Sequence, residues 1–425
     1  MKFCQYQKPI LISLSPNTEK DDIDLSLKMI FKSKEWKEGS EVQELEEEFK
    51  KYLEVNYVFS FNSGRSALMA ILDALGIKED DEILLQGFTC NSAVIPILAK
   101  KAKPVYVDIN ETLNLDAEDL SRRMTPKSKV VMIQHTFGWP AKIDEISEIA
   151  KKNNLYLIED CAHSLGAKYK GKFCGTFGDA AFFSFGRDKI VSSVYGGMAV
   201  TNDEKLAEKI KNFQERLNFP SNFWIFQQLL HPILTNYLIL PLYDFFDFGR
   251  FLLIFLQKLN ILSKAVHNKE KRGKIPGYFP KKFSNALAIL AKNQFKKLER
   301  FNEHRRKIAK IYENELKRKF NLPLLRDKRE EELTPLRYPI LVKNSDKILR
   351  EMEKNNIHLN DGWRKSPVVP PDTDFKKMEY IKGSCERAEN LADHILNLPT
   401  HINVSEKKVR EIINILKKLC HFQSE

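Results

Sequence analysis

Asp160-Cys161-Ala162-His163, then Ser184-Phe185-Gly186-Arg187-Asp188-Lys189, then Gly196-Gly197 are the stretches whose reading decides the fold. One apolar run, Leu155-Tyr156-Leu157-Ile158, ends in Glu159-Asp160. A second, Ala180-Ala181-Phe182-Phe183-Ser184-Phe185, leads into Lys189. Runs this short and continuous fit strands buried on both faces, as in a parallel sheet. Ligands of such sheets bind beyond the carboxyl ends of the strands. The acid and the lysine are therefore predicted to share one rim, with the glycine pair turning the chain behind them.

An aspartate and a lysine at that rim suit pyridoxal phosphate. The lysine amine forms a Schiff base with the cofactor aldehyde. The carboxylate holds a proton on the pyridine nitrogen, so the ring stays an electron sink. Each residue also has a plainer reading. Lys189 is then a solvated strand end, Asp160 a helix N-cap, Ser184 a turn cap and His163 a satisfied core histidine.

Upstream, Tyr57-Val58-Phe59-Ser60-Phe61 reads as a strand, Asn62-Ser63-Gly64-Arg65-Ser66 as a turn and Ala67 to Leu75 as a helix. That layout turns backbone N–H groups and a positive helix end toward a phosphate, although an ordinary serine cap has the same pattern. Strands at 82–85, 104–108 and 129–135 alternate with helices at 91–100 and 144–152. A strand at 194–201 precedes a helix at 204–216. The alternation predicts an α/β fold: a mostly parallel central sheet with helices on both faces. Residues 284–318 read as one long helix, 335–342 as a strand, and 344–355 and 405–419 as helices, which makes a smaller α+β domain.

Residues 221–265 break the pattern. Phe223, Trp224, Phe226, Tyr237, Phe245, Phe246, Phe248, Phe251 and Phe255 crowd there among leucines and isoleucines. Pro232, Pro241, Asp244, Asp247 and Arg250 interrupt every run before it reaches the ~20 apolar residues of a membrane span. Two readings stand. The stretch is a buried helical insertion or dimer surface, or it is an interfacial segment on a membrane. Lys258, Lys264, Lys269, Lys271, Arg272 and Lys274 would suit anionic lipid in the second case. The predicted domains are 1–220 (large, with an N-terminal arm), 221–275 (aromatic-rich insertion) and 276–425 (small).

The 425 residues are 43% hydrophobic and 30% charged, as in a globular protein large enough for two domains. The net charge of +12 favours anionic partners. Its lysines are scattered along helical patterns and read as solvated surface. No nucleic-acid-binding motif stands out, so no nucleic-acid partner is expected. Six cysteines without a C-x-x-C pair predict neither a metal site nor a disulfide framework, which fits a reducing compartment. Pro9, Pro16 and several charges interrupt any signal-peptide plan at the N-terminus. A cytoplasmic protein is expected, peripheral at the inner face of a membrane if 221–265 makes that contact.

Together these motifs resemble the DegT/DnrJ/EryC1/StrS sugar aminotransferases, on the fold type I scaffold of pyridoxal phosphate enzymes. The resemblance covers nearly the whole chain outside 221–275. Gly39-Ser40 with Val42, Leu45, Glu46 and Phe49 is similar to an early helix of the family, and Ser63-Gly64-Arg65-Ser66-Ala67-Leu68 to its phosphate turn. Asp160-Cys161-Ala162-His163-Ser164-Leu165-Gly166-Ala167 resembles its D-A-A-[QH]-x-x-G-A segment. Ser184-Phe185-x-x-x-Lys189 with Gly196-Gly197 resembles its S-F-x-x-x-K…G-G signature. Ser284-Asn285-Ala286 and Leu396-x-Leu398-Pro399 are similar to weaker landmarks.

The resemblance implies that Lys189 forms the Schiff base and moves protons, and that Asp160 pairs with the pyridinium nitrogen. His163 lies against the ring or its hydroxyl. Ser63, Gly64, Arg65, Ser66 and Ser184 surround the phosphate. Arg65 stands where the family usually has threonine, and either adds charge to the phosphate or points elsewhere. Cys90 follows Thr89 where many members stack an aromatic ring on the cofactor. Stacking is then absent or comes from Phe88. The family's asparagine that reaches the phosphate from the neighbouring subunit aligns with Pro280, and its nearby arginine with Lys282, so the implied homodimer must make that contact differently.

The expected activity is transamination of a keto-sugar, nucleotide-linked and used in polysaccharide building, with an amino acid donor such as glutamate. Members that dehydrate sugars instead carry histidine in place of the lysine, and Lys189 argues against that chemistry. Two alternatives remain at this stage. One is another fold type I reaction, such as desulfuration or aldol cleavage. The other is a catalytically idle, membrane-associated scaffold or regulator of the same fold.

Overall fold

The computed structural model describes residues 8–316 and 331–421. Cys4 and the side chain of Cys420 lie outside the described residues. Strands β1 (Tyr57–Phe61), β2 (Glu82–Gln86), β3 (Lys103–Val107), β4 (Ser128–Gln134), β5 (Tyr156–Asp160), β6 (Ala180–Ser184) and β7 (Gly197–Thr201) form one sheet. Their order across it is β1-β7-β6-β5-β4-β2-β3. β7 runs antiparallel to both β6 and β1. The other neighbours are parallel.

This topology sets the site. The carboxyl ends of β1, β5 and β6 and the amino end of β7 meet at one rim. Phe182 lies opposite Asp160, Ser184 opposite Gly197, and Gly197 opposite Phe61. The turn after Phe61, the acid of β5 and the loop after Ser184 are therefore neighbours, although more than a hundred residues separate the first from the last.

Both faces of the sheet are covered, as continuous apolar runs require. Ile83 and Leu85 pack into one core, with Leu68 and Ile71 of the helix Gly64–Ala74. Leu84 packs into the other, with Leu45 and Phe49 of the helix Glu41–Leu53. Val130 and Met132 alternate with Val131 and Ile133 in the same way. Each such side chain contributes about 1.5–3 kcal/mol relative to an exposed one. The first core continues into the C-terminal part through Tyr312, Tyr338, Ile340 and Ile395. There Arg337–Leu341 pairs antiparallel with Ile395–Pro399 beneath the helices Ser345–Glu353 and Glu406–His421.

The single helix expected over 284–318 is two within the described residues, Asn285–Phe295 and Leu298–Leu316. No proline or glycine marks the break, and the apolar period runs through it. Lys297, at the break, pairs with Asp21 and Asp22 at 2.8 Å each, which fastens the joint to the N-terminal helix Lys20–Ile30.

The aromatic-rich stretch divides into two unlike halves. The helix Asn222–Leu234 buries Trp224, Ile225 and Leu229, and Ser26 donates to the Leu229 carbonyl at 2.6 Å. The helix Phe248–Lys258 buries only Gly249 and Leu256. Phe245, Phe251, Ile254 and Phe255 are exposed, and Phe246 is 90% exposed. Among the described residues no helix is long and apolar enough to cross a membrane.

Candidate functional site

At the rim, Ser63 is extended (φ −166°, ψ 158°) and caps the helix that follows. Its Oγ accepts the Ser66 N–H at 3.2 Å, and the Ser66 hydroxyl donates to Asn62 Oδ1 at 2.7 Å. Ser66 is thus occupied within the turn. The Gly64 and Arg65 N–H groups belong to the first helical turn, which offers no backbone acceptor to them. The neighbouring backbones close tightly around this point. A Cβ on Gly197 would stand 2.5 Å from the Gly64 nitrogen, and one on Gly64 would stand 3.1 Å from Ser184 Cβ. Three segments from β1, β6 and β7 therefore make a concave cup that only glycines permit.

The cup is one end of a cavity of about 200 Å³. Its wall includes Ser63, Gly64, Arg65, Cys90, Asp160, His163, Ser184 and Lys189. Of the nine residues expected to hold the cofactor (these eight and Ser66), Ser66 alone is not part of that wall.

Asp160 ends β5 and is buried, with Oδ1 accepting the Ala162 N–H at 3.0 Å. Burial pushes its carboxyl up to about 6, against the pull of the Ala162 N–H and of the charges on Lys189 and His135. His163 accepts the Phe137 N–H on Nδ1 at 3.3 Å, which leaves the other ring nitrogen as donor. Burial first, then Lys189 and Arg337, hold its pKa well below the usual value, so the ring is neutral. It stacks on Phe137 at 5.6 Å and meets the edge of Trp363 at 5.0 Å.

Lys189 is fixed by its backbone. Its N–H donates to the Gly186 carbonyl at 3.1 Å, and its carbonyl accepts from Asn17 at 2.7 Å. Its Nζ stands 3.8 Å from Asp188 Oδ1. Asp188 is itself taken by Arg337 at 2.6 Å, and Arg337 also reaches Asp361 at 3.2 Å. Glu159, beside Asp160, faces away from this chemistry. Its oxygens accept the N–H groups of Gly175, Phe177 and Gly178, and it pairs with His135 at 3.1 Å.

Arg65 turns to the insertion. Its Nε pairs with buried Glu270 at 2.6 Å, and its Nη2 donates to Ser92 and to the Ala265 carbonyl. Phe88 is fully buried against Phe137 and Trp363 and is not part of the wall, so it does not stack on a ligand there. Lys282 is likewise off the wall, with Nζ 5.7 Å from the ring centre of Phe219. The motif reading gave no role to Arg187, Tyr195, Asp361 or Trp363, all of which line the cavity. Arg187 was visible inside Ser184-Phe-Gly-Arg-Asp-Lys189. Asp361 and Trp363 come from the C-terminal part, and no local pattern announces them.

These groups fit pyridoxal phosphate. A helix start and a serine hydroxyl suit its phosphate. An amine stands in the wall, and a buried carboxyl with a raised pKa gains from a cationic N–H partner.

The model of the DegT/DnrJ/EryC1/StrS aminotransferase family matches residues 17–218 and 256–417. An uncharacterized protein of Methanocaldococcus jannaschii is 29% identical over 397 residues, 90% of this chain and 90% of that protein. GDP-perosamine synthase of Escherichia coli O157:H7 is 40% identical over 177 residues, 41% of this chain, and the match spans about half of that enzyme (49%). Among solved structures, a putative sugar aminotransferase from Streptococcus pneumoniae in its apo form has a TM-score of 0.75 at 19% identity, covering 96% of this chain and 97% of that one. It shares the fold.

Proposed function

The chain belongs to the DegT/DnrJ/EryC1/StrS aminotransferase family, whose cofactor is pyridoxal 5′-phosphate, and we propose that it passes an amino group from an amino acid, with glutamate as donor, to the ketone of a nucleotide-linked sugar. The observation that carries this reading is the gathering of Lys189, Asp160, His163 and Ser184 on one cavity with the Ser63-Gly64-Arg65 turn. The similarity to GDP-perosamine synthase supports the sugar nucleotide.

Bound there, the cofactor supplies a ring that accepts carbanion charge. Lys189 would attach it and, as a free amine, would carry protons between the carbons that exchange the amino group. Asp160 holds the proton on the ring nitrogen. Its burial favours this, because an ionised carboxyl in that place needs a cation beside it. His163, neutral and braced by Phe137, supports the ring or donates to its hydroxyl. The Gly64 and Arg65 N–H groups and the Ser184 hydroxyl would hold the phosphate. Cys90 lines the wall at the position where many members of the family carry an aromatic ring.

The test is direct. Glutamate should convert the bound cofactor to its amine form, with the matching change in absorbance. A panel of nucleotide keto-sugars should then yield an amino sugar by mass spectrometry. Cofactor binding without conversion by glutamate favours another fold type I reaction. Failure to bind the cofactor favours the idle scaffold. A homodimer is part of the proposal and is tested by light scattering. So is peripheral membrane contact through the exposed aromatic face from Phe245 to Phe255, since large exposed apolar patches mark contact sites.

A further inference from the structure

Arg187 lies between Ser184 and Lys189, lines the cavity and is only 4% exposed. One Nη2 donates to Ser263, whose hydroxyl donates in turn to Gln228 at 2.7 Å. Its Cζ stands 5.5 Å from the ring centre of Tyr195. Its Nε has no hydrogen-bond partner, and no carboxylate pairs with it among the described residues. The nearby acids are already taken, Asp188 by Arg337 and Glu270 by Arg65.

A guanidinium keeps its proton, so burial without a counter-anion is costly. Arg305 shows the alternative. It too is buried without a carboxylate, but it donates to the Leu336 carbonyl at 3.2 Å, to Thr400 at 3.1 Å and to Asn17 at 2.8 Å. It is not part of the cavity wall. Both arginines leave Nε without a partner, but Arg305 has three side-chain hydrogen bonds and lies off the cavity, whereas Arg187 has one, to Ser263, and lines the cavity.

Through Tyr195, Arg187 lies near the glycine end of the cavity. Tyr195 directly precedes Gly196-Gly197, whose backbone touches Gly64. One segment of the insertion holds the arrangement from the same chain. Ser263 takes Arg187, the Lys264 carbonyl accepts from the Tyr195 hydroxyl, the Ala265 carbonyl accepts from Arg65 at 3.0 Å, and Glu270 pairs with Arg65.

We propose that Arg187 is the counter-charge for the cofactor's phosphate, aimed by Ser263, so that residues 263–270 of the same chain complete the phosphate site. This rests on the cofactor reading above. A charged fork adds strong hydrogen bonds to a phosphate that a pyridoxal lacking one cannot use. The site thereby selects the phosphorylated cofactor.

The test uses the full chain freed of cofactor and titrated with pyridoxal phosphate, with pyridoxal and, on the reloaded protein, with uridine diphosphate. Arg187→Gln should weaken pyridoxal phosphate about 100-fold and pyridoxal less than about 2-fold, with Arg187→Lys between, on the strength expected of charge-assisted pairs. Ser263→Ala, a milder change, should weaken only the phosphorylated ligand, which covers the case in which Arg187→Gln fails to fold. Unchanged affinity for pyridoxal phosphate overturns the proposal. Equal losses for both ligands also overturn it and mark a structural role. Loss confined to uridine diphosphate overturns it in favour of a substrate phosphate. If the wild-type protein takes up neither form of the cofactor, the cofactor reading itself fails.

Discussion

Asp160→Asn is expected to make the cofactor-free protein more stable while removing its activity. The carboxyl is buried, and its pKa rises from 3.8 to about 6. That is a shift of about 2 units at about 1.4 kcal/mol each, or about 3 kcal/mol. The sign follows from the raised value. Near pH 4 and below, the folded protein keeps the carboxyl neutral and nothing is lost. As pH rises toward 6 the unfolded chain ionises easily and the folded one does not, so stability falls across that window and the loss is complete by about pH 8. An amide cannot ionise, and its oxygen still accepts the Ala162 N–H that Asp160 accepts at 3.0 Å. Urea unfolding of both cofactor-free proteins at several pH values should show the variant ahead by about 3 kcal/mol at pH 8, closing to nothing near pH 4. Turnover should drop by orders of magnitude, because a neutral amide no longer stabilises the ring-nitrogen proton. Equal stabilities throughout, or a variant weaker at pH 8, would refute the reasoning that burial strains this carboxyl until a cation joins it.

Three further outcomes follow from the same geometry. Glu270→Gln leaves Arg65 buried without its carboxylate and should cost about 3–5 kcal/mol, while Arg65→Met with Glu270→Leu together should restore most of it; denaturation curves that do not move contradict this. Gly197→Ala puts a Cβ 2.5 Å from the Gly64 nitrogen and should widen the cup at a cost of about 1–3 kcal/mol, with weaker cofactor binding by absorbance titration; unchanged affinity would show that the cup is not the phosphate site. Anionic vesicles should co-sediment the protein at low salt through Phe245, Phe246, Phe251 and Phe255 and release it as salt rises, with each nearby basic residue adding about 1 kcal/mol; no sedimentation at low salt leaves the face to a subunit contact.

The rim was legible because its signals are local. Apolar runs ending in Asp160 and Ser184 specify strands with both faces covered, and the turn at Ser63-Gly64 is written in small residues. The strand at Tyr57–Phe61 matches its reading residue for residue. Direction was not legible: β7 carries the same apolar character as its neighbours, and only its pairing reveals that it runs against them. Arg65 and Glu270 are far apart in the chain, so nothing near Arg65 announced where it would turn. Ser66 looked like part of a phosphate loop, but a serine cap uses the same residues, and here it closes onto Ser63 and Asn62. The density of aromatics in 221–265 showed that the segment needs cover. It did not show that the half around Trp224 finds it in the core while the half around Phe246 does not.

The central claim is that Lys189 carries the cofactor. Borohydride reduction of the protein loaded with pyridoxal phosphate, followed by peptide mapping, tests it in one step. The label should appear on the peptide containing Lys189 and be absent after Lys189→Ala, which should also abolish transamination. A label on any other lysine of the wild-type protein, or none at all on a protein that binds the cofactor, contradicts the account.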